Sequence, residues 1–190
     1  MNRKAVLLDF DGVVIESDIL HYQFNKIICD KYDLAYNYDN YIKYHKGKKS
    51  NYFFDEMMLS RHMNHNDFLS QKHIYITRKI SECEINEDVY NALAYAYVNN
   101  IPVFLNSSNT KALEYLKLLN MNHFITADVL DYDKSKPESY LSISKKYDYK
   151  PEQLIALEDS DNIIKIMKEV KINVIKIPAT CDIIEILCNS

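Results

Sequence analysis

The stretch from Lys4 to Asp18 constrains this chain more than any other. Ala5 to Leu8 is a short apolar run set between Lys4 and Asp9, the pattern of a strand covered on both faces in a parallel sheet. Two carboxylates, Asp9 and Asp11, follow two positions apart, and then Gly12. In open α/β sheets, ligands bind beyond the carboxyl ends of the strands, where loops aim side chains at one point. Glycine occurs twice in the chain, at Gly12 and Gly47, so each is expected where the backbone or a ligand excludes a side chain.

From Asp18 the periodicity changes. Ile19, Leu20, Phe24, Ile27 and Ile28 fall at helical spacing over residues 18–33. A short helix is expected over 41–46, stopping at Gly47. Ser50 is read as the N-cap of the next helix, and Asp67 as that of a longer one through Ile80. Residues 18–83 therefore read as a helical bundle inserted after the first strand. Helix and strand then alternate: strands are expected at 101–106, 124–127, 154–157 and 173–177, with helices between them. That alternation implies a parallel sheet with right-handed crossovers. The fold class is α/β, a Rossmann-like core built from 1–17 and 84–190 with residues 18–83 as a separate helical domain.

The strand ends carry the chemistry. Asp9 and Asp11 follow the first strand, Ser107 and Ser108 the second, the lysines 134 and 136 lie after the third, and Glu158 and Asp159 end the fourth. In a parallel sheet these ends share one edge. Carboxylates converging with a lysine and a serine make a poor core but a good site for magnesium and phosphate. Mg²⁺ takes oxygen ligands and is held by one or two carboxylates plus substrate phosphate. A carboxylate can also attack phosphorus and carry it as an aspartyl-phosphate, while Lys and Ser stabilise the phosphoryl oxygens.

Four motifs stand in order: Asp9-Phe-Asp11-Gly-Val-Val, Phe104-Leu-Asn-Ser107, Lys136-Pro137 and Leu157-Glu158-Asp159-Ser160. In this the chain resembles the haloacid dehalogenase superfamily. Its helical insert, with Glu16-Ser17-Asp18-Ile-Leu-His21 and Lys46-Gly47-Lys48, is similar to the cap of beta-phosphoglucomutase-like and phosphoglycolate-phosphatase-like members. The resemblance implies Asp9 as nucleophile and Mg²⁺ ligand. It implies Asp11 as general acid and then base, with its main-chain carbonyl on the metal. Ser107 and Lys136 would hold the phosphoryl group, Asp159 would ligate Mg²⁺, and Glu158 would support the metal shell. Ser108 rivals Ser107, and Lys134 rivals Lys136; Lys136 is preferred because Pro137 follows it as in the family pattern. Gly12, His21, Gly47 and Lys49 are candidate substrate contacts, and closure of the cap would exclude water. A second acid at Asp11 argues for phosphate chemistry over dehalogenation. Two positions depart from the family pattern: Ile163 stands where a glycine is usual, and Asn106 where a smaller residue is usual.

The implied activity is a Mg²⁺-dependent phosphatase acting on a small phosphorylated metabolite. The alternatives are a phosphosugar mutase, a phosphonate hydrolase using Lys48 or Lys49, and a catalytically weak binding module. Among them the mutase needs a second phosphate site, for which the chain offers few arginines: Arg3, Arg61 and Arg78. A net charge of −4 without a basic stripe argues against nucleic acid. No apolar run reaches the length of a membrane span. Asp9 and Asp11 interrupt the N-terminal apolar run too early for a signal peptide, so a cytoplasmic location is expected, as a monomer or small homo-oligomer. Cys29, Cys83, Cys181 and Cys188 lack metal-site spacing and are read as buried free thiols.

Overall fold

The computed structural model describes residues 3–46, 48, 50–129 and 133–189. Five parallel strands form one sheet in the order β3-β2-β1-β4-β5: β1 (Ala5–Leu8), β2 (Val103–Leu105), β3 (Ala127–Asp128), β4 (Leu154–Glu158) and β5 (Asn173–Lys176). β1 lies at the centre, with Val6 opposite Val103 on one side and opposite Ile155 on the other. All of β1, β2 and β4 is buried, which is why these segments read as continuous apolar runs and not as alternating ones. Glu158 ends β4 inside that buried ladder, only 1% exposed.

The chain divides into two compact units, Met1–Glu16 with Glu84–Ser190, and Ser17–Cys83. The second unit is helical throughout: α1 (Asp18–Lys31), α2 (Tyr38–Asn40), a π-helical turn at Tyr41–His45, α3 (Ser50–Glu56) and α4 (His65–Lys79). Its core is aromatic, with Phe24, Tyr36, Tyr41, Phe53, Phe54 and Phe68 packed around Ile28, Cys29 and Leu59. Two expected caps move. Asn64, not Asp67, caps α4, its side chain accepting from the Asp67 backbone N–H at 2.8 Å. Ser50 is itself the first residue of α3, and its hydroxyl accepts from Lys72 Nζ at 2.9 Å.

In the first unit, α5 (Glu87–Val98), α6 (Ala112–Leu118), α7 (Pro137–Lys146), α8 (Asp161–Glu169) and α9 (Ile183–Asn189) surround the sheet. One face of the sheet packs Ala5, Leu7, Phe104 and Ala156 against Tyr140 and Ile143 of α7 and Met167 of α8. Ile163 packs at the margin of that cluster, so the side chain standing where the family has glycine is absorbed as apolar contact. The third strand is shorter than expected, because Asn122–Phe124 forms a 3₁₀ turn before Ala127.

With glycine so scarce, other residues end the helices. Asp33, Asn100, Asn120, Asp148 and Lys171 take positive φ just after α1, α5, α6, α7 and α8. Each is followed by a closing bond such as Ile101 N–H to Ala96 C=O at 2.8 Å. Asn and Asp tolerate this left-handed conformation better than other non-glycine residues. Of the cysteines, all free, only Cys29 is buried; Cys181 and Cys188 are exposed because the C-terminal segment lies on the surface. No described helix is long and apolar enough to cross a membrane.

Candidate active site

The order of strands reverses direction between β1 and β4, since the chain runs outward through β2 and β3 and then returns to β1's other edge. Such a switch point opens a crevice beyond the carboxyl ends. Asp9 leaves β1 there, its N–H donating to Leu157 C=O at 3.1 Å, which places it beside the end of β4. Asp9, Glu158 and Asp159 each bring a carboxylate oxygen within 4.8 Å of the others.

The loop after Asp9 turns tightly. The N–H groups of Val14 and Val13 donate to Phe10 C=O, and Gly12 N–H donates to Ile15 C=O at 2.9 Å. Gly12 has φ +76°, and a Cβ there would lie 2.3 Å from Asp159 Oδ2. Both the backbone sign and the close approach of Asp159 therefore demand glycine. Gly12, expected as a substrate contact, is placed here as the residue that lets the two acidic loops touch.

Lys134 sits among these acids. Its Nζ lies 3.0 Å from Asp9 Oδ1 and 2.6 Å from Glu158 Oε2, with Lys134 7% exposed. The Glu158 contact is an ion pair outside hydrogen-bonding angles, while Glu158 Oε1 accepts from Ser160 N–H at 3.1 Å. Tyr140, buried on α7, donates its hydroxyl to Lys134 C=O at 3.0 Å and so anchors the loop.

Lys136, the expected phosphoryl ligand, is elsewhere. It is the residue before α7, its side chain 65% exposed, and it faces Asp133 at 3.5 Å. The correction has a local cause. Pro137 opens α7, so Lys136 belongs to the helix start, and Asp133 three residues earlier offers it a surface partner. That i, i+3 pairing was a usable signal in the sequence, outweighed by the Lys-Pro pattern.

Burial drives the electrostatics. It raises the Asp9 carboxyl above the usual range, partly countered by Lys134 and reinforced by Asp11. Burial also pushes Glu158 up to about 8, with Asp9 adding to the shift and Lys134 opposing it. For Lys134, burial alone would lower the pKa, but the charges of Asp9 and Glu158 outweigh it and hold the ammonium charged. One buried cation thus faces an excess of buried carboxylate, an arrangement that suits a second cation.

Ser107 is 2% exposed and lies two residues past the end of β2, after Asn106, whereas Ser108 is exposed. Asn109 N–H donates to Ser107 Oγ at 3.1 Å, and Asn109 Nδ2 donates to Asp11 Oδ2 at 2.9 Å. No local signal in the sequence points to the contact of Asn109 with Asp11. Asp161 opens α8 and pairs with Lys176 at 2.6 Å on the surface, away from a ligand's role. His21 lies on α1 in the helical unit, half-buried. Gly47 and Lys49 lie outside the described residues.

Fold and site together define an α/β protein with a carboxylate-rich crevice at the topological switch point of a parallel sheet. A family model described as haloacid dehalogenase-like hydrolase matches residues 3–171, and the chain belongs to that family. Solved structures agree on the fold. A beta-phosphoglucomutase homologue from Thermotoga maritima is 23% identical with a TM-score of 0.72, covering 91% of this chain and 84% of that one. A phosphoglycolate phosphatase homologue from Haemophilus somnus is 14% identical with a TM-score of 0.76, covering 93% and 85%. CbbY from Rhodobacter sphaeroides, solved in complex with phosphate, is 18% identical with a TM-score of 0.74, covering 92% and 85%. No curated protein matches the chain.

Proposed function

We propose that this hydrolase is a Mg²⁺-dependent phosphatase that cleaves a small phosphomonoester of the cytoplasm through an aspartyl-phosphate. The observation that carries the reading lies at the sheet's switch point, where Lys134 is buried between Asp9 and Glu158 and the half-buried Asp159 brings a third carboxylate within 4.8 Å of theirs. Such a charge excess costs stability in an unliganded fold and is useful only where charged ligands enter.

The donor set fits magnesium: all oxygen, with the Asp9 and Glu158 carboxyls pushed up by burial and only partly compensated by Lys134. Asp9 and Asp159 would hold the ion with the Asp11 main-chain carbonyl, while Glu158 mainly fixes Lys134. The ion supplies Lewis-acid charge stabilisation to the phosphoryl oxygens.

Asp9 attacks phosphorus; a carboxylate O–P bond forms as the ester P–O bond breaks. Asp11 gives its proton to the leaving alkoxide. It then takes one from the water that attacks the aspartyl-phosphate, releasing phosphate and restoring Asp9. Lys134, in the role that the sequence suggested for Lys136, neutralises charge on the transferring group. Ser107 Oγ accepts from Asn109 N–H, which leaves its own proton to donate to a phosphoryl oxygen. In this reading the helical unit is the family's cap, and His21, Gly47 and Lys49 stay candidate substrate contacts from its sequence.

The test is phosphate release from a panel of sugar phosphates and other phosphomonoesters, with and without Mg²⁺. Magnesium-dependent release that falls by at least about a thousandfold in Asp9→Asn is expected. Isomerised sugar phosphate without net phosphate release would replace this reading with a mutase. Silence in both assays from folded protein would replace it with a binding module.

A further inference from the structure

Asn109 touches two of the residues assigned above and has been given no part of its own. Its backbone N–H donates to Ser107 Oγ at 3.1 Å, and its side-chain Nδ2 donates to Asp11 Oδ2 at 2.9 Å. The third contact settles the amide's orientation. Asn109 Oδ1 accepts the Lys111 backbone N–H at 3.0 Å, so the other end of the amide must be the NH₂ group, and it faces the carboxylate as a donor.

We infer that Asn109 is a positioning residue for Asp11, setting the plane of that carboxyl so that it meets the leaving oxygen of an unactivated alkyl phosphate. The inference rests on the phosphatase reading and deepens it. A carboxyl at the end of a single strand–loop connection can rotate about its side-chain torsions. A donor fixed at one oxygen limits that rotation. Since Asn109 also accepts Lys111 N–H and donates to Ser107 Oγ, one residue ties the group handling the leaving oxygen to a group holding the phosphoryl oxygens.

The alternative is that Asn109 merely closes the turn that leads into α6 through its Oδ1. Two variants separate the roles. Asn109→Asp keeps the acceptor for Lys111 N–H but removes the donor to Asp11; Asn109→Ala removes both. The readout is the ratio of kcat on an alkyl phosphate to kcat on p-nitrophenyl phosphate, whose good leaving group scarcely needs protonation. Thermal melts of the same samples report their stability.

The expected result is that both variants lose about 10- to 100-fold on the alkyl ester and under about threefold on the aryl ester, within the range of general acid catalysis. Both variants should melt below wild type, Asn109→Asp because it sets a second carboxylate against Asp11 and Asn109→Ala because it loses the contact with Lys111. An Asn109→Asp enzyme with an unchanged alkyl-to-aryl ratio would overturn the inference and leave the turn as the whole role. Equal losses on both esters would overturn it as well. A wild-type protein that hydrolyses neither ester fails the phosphatase reading itself, and the inference falls with it.

Discussion

Each of the two units buries a chain of polar side chains, and the two chains are built differently. In the helical unit, Asn25 Nδ2 meets Tyr36 OH at 3.5 Å, Tyr36 OH meets His45 Nδ1 at 3.0 Å, and His45 Nε2 meets Glu56 Oε2 at 2.9 Å. Rings of Tyr36, Tyr44, Tyr52 and Phe53 surround His45. Burial pushes the Tyr36 phenol up to about 12, so it stays a neutral donor. Glu56, at the end of the chain, reaches solvent with its side chain 38% exposed. That network is a polar core satisfied except at Asn25 Oδ1, which is buried without a hydrogen-bond partner. In the sheet unit, by contrast, Asp9 and Glu158, both buried, share one buried Lys134, with the partly exposed Asp11 and Asp159 close by in the chain. The lesson is that burial of polar groups does not by itself mark a site. Burial of uncompensated like charge does, because a fold has cheaper ways to fill the same volume.

The contrast can be broken most sharply at Lys134. Lys134→Met leaves Asp9 and Glu158 facing each other without a cation and should destabilise the metal-free protein by about 3–5 kcal/mol. It should also abolish most phosphate release, whereas Lys136→Ala, at an exposed surface pair, should change stability by under about 0.5 kcal/mol. Chemical denaturation and initial rates on both variants check this; the reverse ranking would restore Lys136 to the site.

A smaller effect comes from pH. Glu158 titrates at about 8 in the fold against 4.5 for the unperturbed group, so between those values the folded state holds a proton that the unfolded state has released. Stability contributed by this group is therefore lost as pH rises through that window, and the raised Asp9 acts in the same direction. In chelator, the melting temperature should be higher near about pH 5 than near about pH 8, with Mg²⁺ recovering most at the upper end. A Mg²⁺ effect that grew toward low pH would contradict the assignment of Asp9 as its ligand.

The smallest effect belongs to the helical unit. Tyr36→Phe removes a hydroxyl that meets both Asn25 and His45, and should cost about 1–3 kcal/mol. The turnover of the folded fraction on p-nitrophenyl phosphate, a substrate that asks little of a specificity loop, should stay within about twofold of wild type. A tenfold fall would make the Tyr36–His45 network part of the reaction and erase the distinction between the two regions.

Much of the architecture was legible before any coordinates. β1, β2 and β4 stand where continuous apolar runs announce them, β5 lies within the expected 173–177, and the fourth motif marks the buried end of β4. The exception is the strand at β3, where Phe124 looks like part of the strand but belongs to a 3₁₀ turn, because two residues carry too little periodicity to be read. Helix caps were legible by type and not by position: Asn64 and Asp67 are both capable acceptors, and only the backbone decides which stands outside the helix. The exposed cysteines were misread for a similar reason, since a thiol's usual preference for burial says nothing about where the C-terminal segment lies.

Within the site, the sequence by itself determined that carboxylates would gather at one edge of a parallel sheet, because strand alternation sends every strand's carboxyl end the same way. It also determined that Gly12 must stay glycine, through scarcity and place. Only the tertiary structure decided which lysine joins the acids. Lys134 and Lys136 lie two positions apart in the same loop, and their selection depends on Tyr140 holding one carbonyl and Asp133 drawing the other side chain outward. Likewise only the fold brings Asn109 to Asp11 across 98 residues of chain. Periodicity and motifs report which way the backbone runs; the direction of a single side chain is set by neighbours that the chain meets only after it has folded.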